Sequence, residues 1–161
     1  MRVIIQRVLN ASVSVEQKIV SSICRGVVVF VGFTNTDNHS IIERMADRVL
    51  KLKIFSDDTK NCAKSVESIN GDILSVSQIT LYCYIKKNKL DFHRCCEKEH
   101  ANSLYQHWLD VLRKRYNGKV ADGMFGELMQ VKLVNDGPVT IELDSEQSKQ
   151  QVSDNNTGDG S

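Results

Sequence analysis

Apolar and polar positions alternate through the opening of the chain. In Arg2–Val8, Val3 and Ile5 fall on one face and Ile4 and Val8 on the other. Ser12-Val13-Ser14-Val15 alternates strictly, as a half-buried strand does. Ile19–Cys24 reads as a short third strand, and Arg25-Gly26 as a turn. Val27–Val31 is apolar on both faces, which predicts a central strand covered on both sides. These segments predict a meander of four strands. The period then changes. Ile41, Ile42, Met45, Ala46, Val49 and Leu50 recur at three- and four-residue intervals, so an amphipathic helix follows, with Asn38 or Ser40 as its N-cap.

Ser56–Asn61 is a polar loop, and Asn70-Gly71 is a turn that launches a strand from Asp72 to Leu81. Lys86-Lys87-Asn88-Lys89 reads as an exposed basic loop. A second helix is expected from about Lys98 to Tyr116, with the stripe Ala101, Leu104, Tyr105, Trp108, Leu112 and Tyr116. Trp108 on that stripe reads as core. Arg113-Lys114-Arg115 suits the negative end of the helix dipole. In the last two strands, Met129, Val131 and Leu133, then Val139, Ile141 and Leu143, alternate with polar residues. Asn135-Asp136-Gly137-Pro138 lies between them. Residues 145–161 carry only Val152 as an apolar side chain and are expected to be disordered. The expected architecture is α+β: antiparallel sheets packed together, with two flanking helices.

Length and composition narrow the function classes. At 161 residues the chain is one domain long, enough to bury roughly 70% of its unfolded surface. Its formal net charge of +1 excludes a binder that works by bulk positive charge. No stretch resembles a signal peptide or a membrane span, which points to the cytoplasm. Cys24, Cys62, Cys83, Cys95 and Cys96 are odd in number and form no CxxC, so reduced thiols are expected. His93, Cys95, Cys96 and His100 make a single cluster, whereas structural zinc wants two paired motifs, so no metal is expected.

Standard catalytic sets are missing: there is no GxSxG, HExxH or P-loop. Three local features stand out instead. Ser77, Gln78 and Thr80 bring hydrogen-bonding side chains into an otherwise apolar strand, where an unpaired polar group costs about 1–3 kcal/mol. They either satisfy one another and the backbone or line a cleft. Gly137-Pro138 holds the chain's only proline, either in a cis bond or in an ordinary turn. Gly123-Met124-Phe125-Gly126 sets an aromatic between glycines, against a ligand or over the core.

Together these segments resemble the bacterial and eukaryotic D-aminoacyl-tRNA deacylase family. The likeness starts at Met1-Arg2-Val3-Ile4-Ile5-Gln6-Arg7-Val8 and runs in order to residue 144. Its most specific part is the pairing of Ser77-Gln78-Ile79-Thr80 with Asn135-Asp136-Gly137-Pro138-Val139-Thr140. The chain departs from the family at Ile79, where Phe is usual, and at Leu90, where Pro is usual. The resemblance implies a deacylase domain over residues 1–144. It implies hydrolysis of the ester joining a D-amino acid to tRNA, by a homodimer that uses no cofactor. Ser77, Gln78 and Thr80 of one protomer would build the pocket, and Gly137 and Pro138 of the other would close it. Arg7 would brace the Gly-Pro turn, and Phe125 and Met129 would line the adenosine side. Thr80 is open to two readings, nucleophile or orienting group. The partner is then the 3′ end of an aminoacylated tRNA. The rival reading is a nucleic-acid-binding protein without catalysis, linked to DNA-replication origins. Its surface would use Lys86, Lys87, Lys89, Arg94, Arg113, Lys114 and Arg115.

Overall fold

A computed structural model describes residues 1–147, and the expected polar tail beyond them lies outside the described residues. The strands β1 (Arg2–Val15), β2 (Lys18–Ile23) and β3 (Gly26–Gly32) open the chain. Helix α1 (His39–Lys51) leads to β4 (Asp72–Ser77) and a 3-10 turn over Ile79–Tyr82. A hairpin of β5 (Tyr84–Lys86) and β6 (Lys89–Asp91) precedes helix α2 (Lys98–Arg115), β7 (Val120–Asp122) and β8 (Gln130–Asp144).

The α+β class and its two helices hold, but the sheets differ from expectation. One six-stranded mixed sheet runs in the order β2-β1-β3-β4-β7, with β8 paired to β1. β1 is antiparallel to β2, β3 and β8, whereas β3–β4 and β4–β7 are parallel. The reason is connectivity. Each helix links two neighbouring strands, and a helical crossover returns the chain to the same end of the sheet. The expected strands Arg2–Val8 and Ser12–Val15 are one continuous strand, and β2 and β3 both pair with it instead of with each other, so the expected meander does not form.

α1 forms where the apolar stripe predicts it, and Asn38 caps it by accepting from the Ile41 amide at 3.1 Å. Ile42, Met45, Ala46, Val49 and Leu50 are its buried face. Together with Leu104, Trp108 and Leu112 of α2 they cover Val3, Ile5, Val29, Val31 and Ile73 of the sheet. The other face of the sheet buries Val28, Leu74 and Val76 against Val8, Ala11, Val13 and Ile23. Each fully buried aliphatic side chain of this kind contributes about 1.5–3 kcal/mol. This second layer exists because the sheet curls until β2 meets β7, where the Ser21 hydroxyl donates to the Asp122 carbonyl at 2.7 Å. Val27–Val31 is therefore covered on both sides, as its composition requires.

The chain ends are tied together. The Met1 ammonium pairs with Asp37 and donates to the Ser145 hydroxyl at 2.8 Å. Ser145, the first residue of the expected tail, is buried.

Candidate functional site

β4 stops at Ser77, not at Leu81. Its last ladder bond runs from the Gln78 amide to the Val31 carbonyl of β3, at 2.7 Å. Beyond it the backbone leaves the sheet through Gln78 and winds into the 3-10 turn. Gly32, the end of β3, permits that departure. A Cβ there would lie 2.9 Å from both the Gln78 carbonyl oxygen and the Leu81 Cβ. Ser77 and Gln78 are half-buried and Thr80 is exposed, so the polar residues do not enter a buried strand. They emerge from its carboxyl end, the place where parallel strands offer their ligand sites.

A cavity of about 480 Å³ opens at that end. Ser77 and Gln78 form one wall with the end of β3, and Cys96, Lys98 and Ala101 at the start of α2 form another. Phe125 and Met129 close it from the segment leading into β8. The Phe125 ring also lies 5.7 Å from that of Tyr105, so it touches cavity and core alike. Thr80, Arg7, Gly137 and Pro138 do not line this cavity. Thr80 remains linked to it, because the Gln78 side-chain amide donates to the Thr80 hydroxyl.

The turn carrying Thr80 is held from below by Arg2. Its guanidinium donates to the Leu81 carbonyl at 2.7 Å and pairs with Asp144 at 3.0 Å and Glu142 at 3.1 Å. It also sits 5.0 Å over the Tyr82 ring. Burial, with Asp37 and Asp144 nearby, pushes the Tyr82 phenol up and keeps it protonated. Ile79 and Thr80, the first residues of the turn, have no carbonyl partner for their amides within it.

Gly137-Pro138 belongs to a different part of the surface. Gln6 pairs with Thr140 and Val8 with Asn135, so residues 136–139 of β8 stand opposite Arg7 alone. The surplus bulges out of the ladder. The Gly137-Pro138 bond is cis, and Gly137 has φ +126, a conformation that side chains other than glycine rarely adopt. Arg7 fills the gap inside the bulge. Its Nε donates to the Asp136 carbonyl at 3.0 Å and lies 3.3 Å from the Asp136 carboxylate, and it also donates to the Ile54 carbonyl.

His93, Cys95, Cys96 and His100 do not gather into a metal-binding set. No group of three or more such side chains is placed to hold an ion among the described residues. All five cysteines are free thiols. Sequence reasoning missed the Gly32 wall, Cys96 and Lys98. A glycine ending an apolar strand was a usable signal for the first; nothing in the sequence marks Lys98.

A family model described as D-Tyr-tRNA(Tyr) deacylase matches residues 4–144. The chain belongs to this deacylase family. D-aminoacyl-tRNA deacylase 1 of Mus musculus is 44% identical over 147 residues, covering 90% of this chain and 70% of the relative. The D-aminoacyl-tRNA deacylase of Saccharomyces cerevisiae is 43% identical over 150 residues, covering 91% of this chain and all (100%) of the relative. Among solved structures, a c-Myc DNA unwinding element binding protein superposes with a TM-score of 0.86 at 43% identity. That match covers 89% of this chain and 98% of the other. The cavity and the bulge both lie within the matched residues.

Proposed function

We propose that the chain hydrolyses the ester joining a D-amino acid to the 3′-terminal ribose of tRNA, acting as a cytoplasmic homodimer. Its identity of 44% to the mouse and 43% to the yeast protein, both named as D-aminoacyl-tRNA deacylases, supports the reaction class. Residues 1–144 form the catalytic domain. Ser77, Gln78 and Thr80 of one protomer bind the ester, Phe125 and Met129 take the adenosine, and the partner's Gly137-Pro138 corner closes the pocket.

The observation that carries this reading is a separation. Gly137 and Pro138 do not line the cavity of their own chain, which leaves the corner to serve the pocket of a second chain. Exposed Leu9 and Val134 flank the bulge on β1 and β8, an apolar rim suited to burial by another protomer.

An aminoacyl ester is already activated, so hydrolysis asks for a positioned water and a donor for the developing oxyanion. One such donor contributes roughly 3 kcal/mol. The Ile79 and Thr80 amides supply it. Water adds to the carbonyl carbon, the bond to the ribose oxygen breaks, and that oxygen leaves with a proton. The neighbouring ribose hydroxyl helps to activate the water, and Thr80 orients.

Chirality follows from shape. The partner's Gly-Pro carbonyls accept from the α-ammonium and fix the remaining substituents on Cα. An L side chain then meets main chain, while a D side chain points outward. Glycine offers nothing to reject and is hydrolysed too. Single-turnover deacylation of D-, L- and glycyl-tRNA tests the reading: the D and glycyl esters react and the L ester resists. Equal rates for D and L would remove the chiral pocket.

A second reading, DNA binding without catalysis, draws on the name of the structural neighbour at TM-score 0.86. It predicts strongly salt-dependent DNA binding with no ester hydrolysis.

A further inference from the structure

Two clusters of cations distinguish themselves by their surroundings. At the end of α2, Arg113 pairs with Asp122 at 2.9 Å, and Arg115 pairs with Glu43 at 2.8 Å and Asp47 at 2.9 Å. Those charges are spent inside the fold. On the β5–β6 hairpin, Lys86, Lys87 and Lys89 make no ion pair among the described residues, and neither does Arg94 just beyond it. Asp91, which lines the same hollow as the three lysines, is engaged elsewhere. It accepts from the His93 amide at 3.0 Å and meets the His93 ring at 2.6 Å.

The same hairpin exposes flat and apolar side chains. Ile85 is 78% exposed and Leu90 54%, and Tyr84 and Phe92 are also open to solvent. Arg94 lies 4.3 Å over the Tyr84 ring and the His93 ring stacks on it at 5.7 Å, so Tyr84 is already engaged and Phe92 is the aromatic left open. A hollow of about 470 Å³ runs beneath, lined by the three lysines with Leu90, Asp91 and Phe92. A two-stranded ribbon with this much apolar surface and no sheet to join is poorly justified as a free-standing element. Unpaired cations interleaved with aromatic faces are the chemistry that grips a single nucleic-acid strand, the cations on phosphates and the rings on bases.

Its position supplies the continuity. The hairpin is spliced between the 3-10 turn that carries Thr80 and the first turn of α2 that walls the cavity. Cys95 ties the two ends together, its amide donating to the Phe92 carbonyl at 2.9 Å and its thiol to the Ile79 carbonyl at 3.5 Å. A strand whose last nucleotide occupies the cavity has this ribbon next to the turn and the helix that wall it.

We propose that the β5–β6 hairpin binds the single-stranded RNA immediately upstream of the terminal adenosine, with Lys86, Lys87 and Lys89 on its phosphates and Phe92 against its bases. This rests on the deacylase reading above and adds the surface that separates a whole tRNA from its last nucleoside. The test compares intact D-aminoacyl-tRNA with a 3′-D-aminoacyl adenosine, using wild type and the K86E/K87E/K89E variant. The variant is expected to lose roughly tenfold or more in kcat/KM on the tRNA near 0.1 M salt, and its log–log salt dependence should flatten by about 2. Hydrolysis of the adenosine ester should be retained, which also shows that the variant is folded. A variant that matches wild type on tRNA at every salt concentration, or that loses both substrates equally while keeping wild-type circular dichroism, would overturn the surface alone. A wild-type chain inert on both esters would overturn the deacylase reading, and this one with it.

Discussion

Ser75 and Ser77 sit two residues apart on β4, so their side chains share one face of the sheet. Their fates are opposite. Ser75 is fully buried: its hydroxyl accepts from the Trp108 indole at 3.0 Å, and its carbonyl accepts from the Tyr105 hydroxyl at 3.0 Å. Burial pushes the Tyr105 phenol up to about 12, so it stays a donor at any physiological pH. Ser77, about 7 Å further along the strand, faces the cavity instead. The difference lies in α2. Its middle covers Ser75, and its first turn begins beside Ser77, leaving a gap that the helix does not fill. One serine serves the interior and the other lines the cavity, and only the start of a helix decides which.

The largest effect should come from closing that gap. Gly32→Ala places a methyl 2.9 Å from the Gln78 carbonyl oxygen and forces the backbone of the 3-10 turn to move. A displacement of about 1 Å at a positioning element costs on the order of a hundredfold in rate. Deacylation should fall by that much while the denaturant midpoint moves little. An unchanged rate would mean that the turn has no part in the chemistry. The interior serine should behave in the reverse way. Ser75→Ala leaves the Trp108 N–H buried without a partner and should cost about 1–3 kcal/mol of stability in chemical denaturation. The folded fraction should keep its kcat. A Ser75→Ala protein as stable as wild type would erase the distinction between the two serines.

How far this arrangement was legible follows from the kind of signal each part carries. α1 and α2 announce themselves by apolar stripes, and β3 by being apolar on both faces; these are local patterns, and the structure keeps them. Strand direction is not local. The parallel pairs had to be inferred from a helix lying between two strands, and treating the helices as mere flanks produced an all-antiparallel sheet. The end of β4 was also invisible, because Ile79 and Leu81 continue its alternation while the backbone has already turned away. In the hairpin, Lys87 and Asn88 both adopt positive φ, as a tight two-residue turn demands. Asn88 alone hinted at it, and lysines on both sides made the segment read as a loop. Ser75 was passed over as part of an apolar run, though one serine among Ile73, Leu74 and Val76 asks for a buried partner. The two expected last strands are one continuous β8 that runs through the Gly-Pro segment, and only the register against β1 reveals that segment as a bulge facing Arg7.

Thr80 gives the smallest and most discriminating effect. A threonine nucleophile needs a base to take its proton. The Thr80 hydroxyl accepts from the Gln78 amide, and among the described residues no histidine or carboxylate is hydrogen-bonded to it. A donor on the oxygen holds its lone pair and leaves the proton where it is, which suits a group that orients water rather than one that attacks. Thr80→Ala should therefore slow single-turnover deacylation by about tenfold or less, the scale of one positioning hydrogen bond. Thr80→Ser, which keeps the hydroxyl, should restore most of that loss. Removing a true nucleophile costs on the order of 10⁴ or more, so the two roles are separated by a wide margin in one assay. A collapse of that size, with Ser77 and Gln78 intact, would make Thr80 the group that reacts and leave Ser77 as the hydroxyl that only holds.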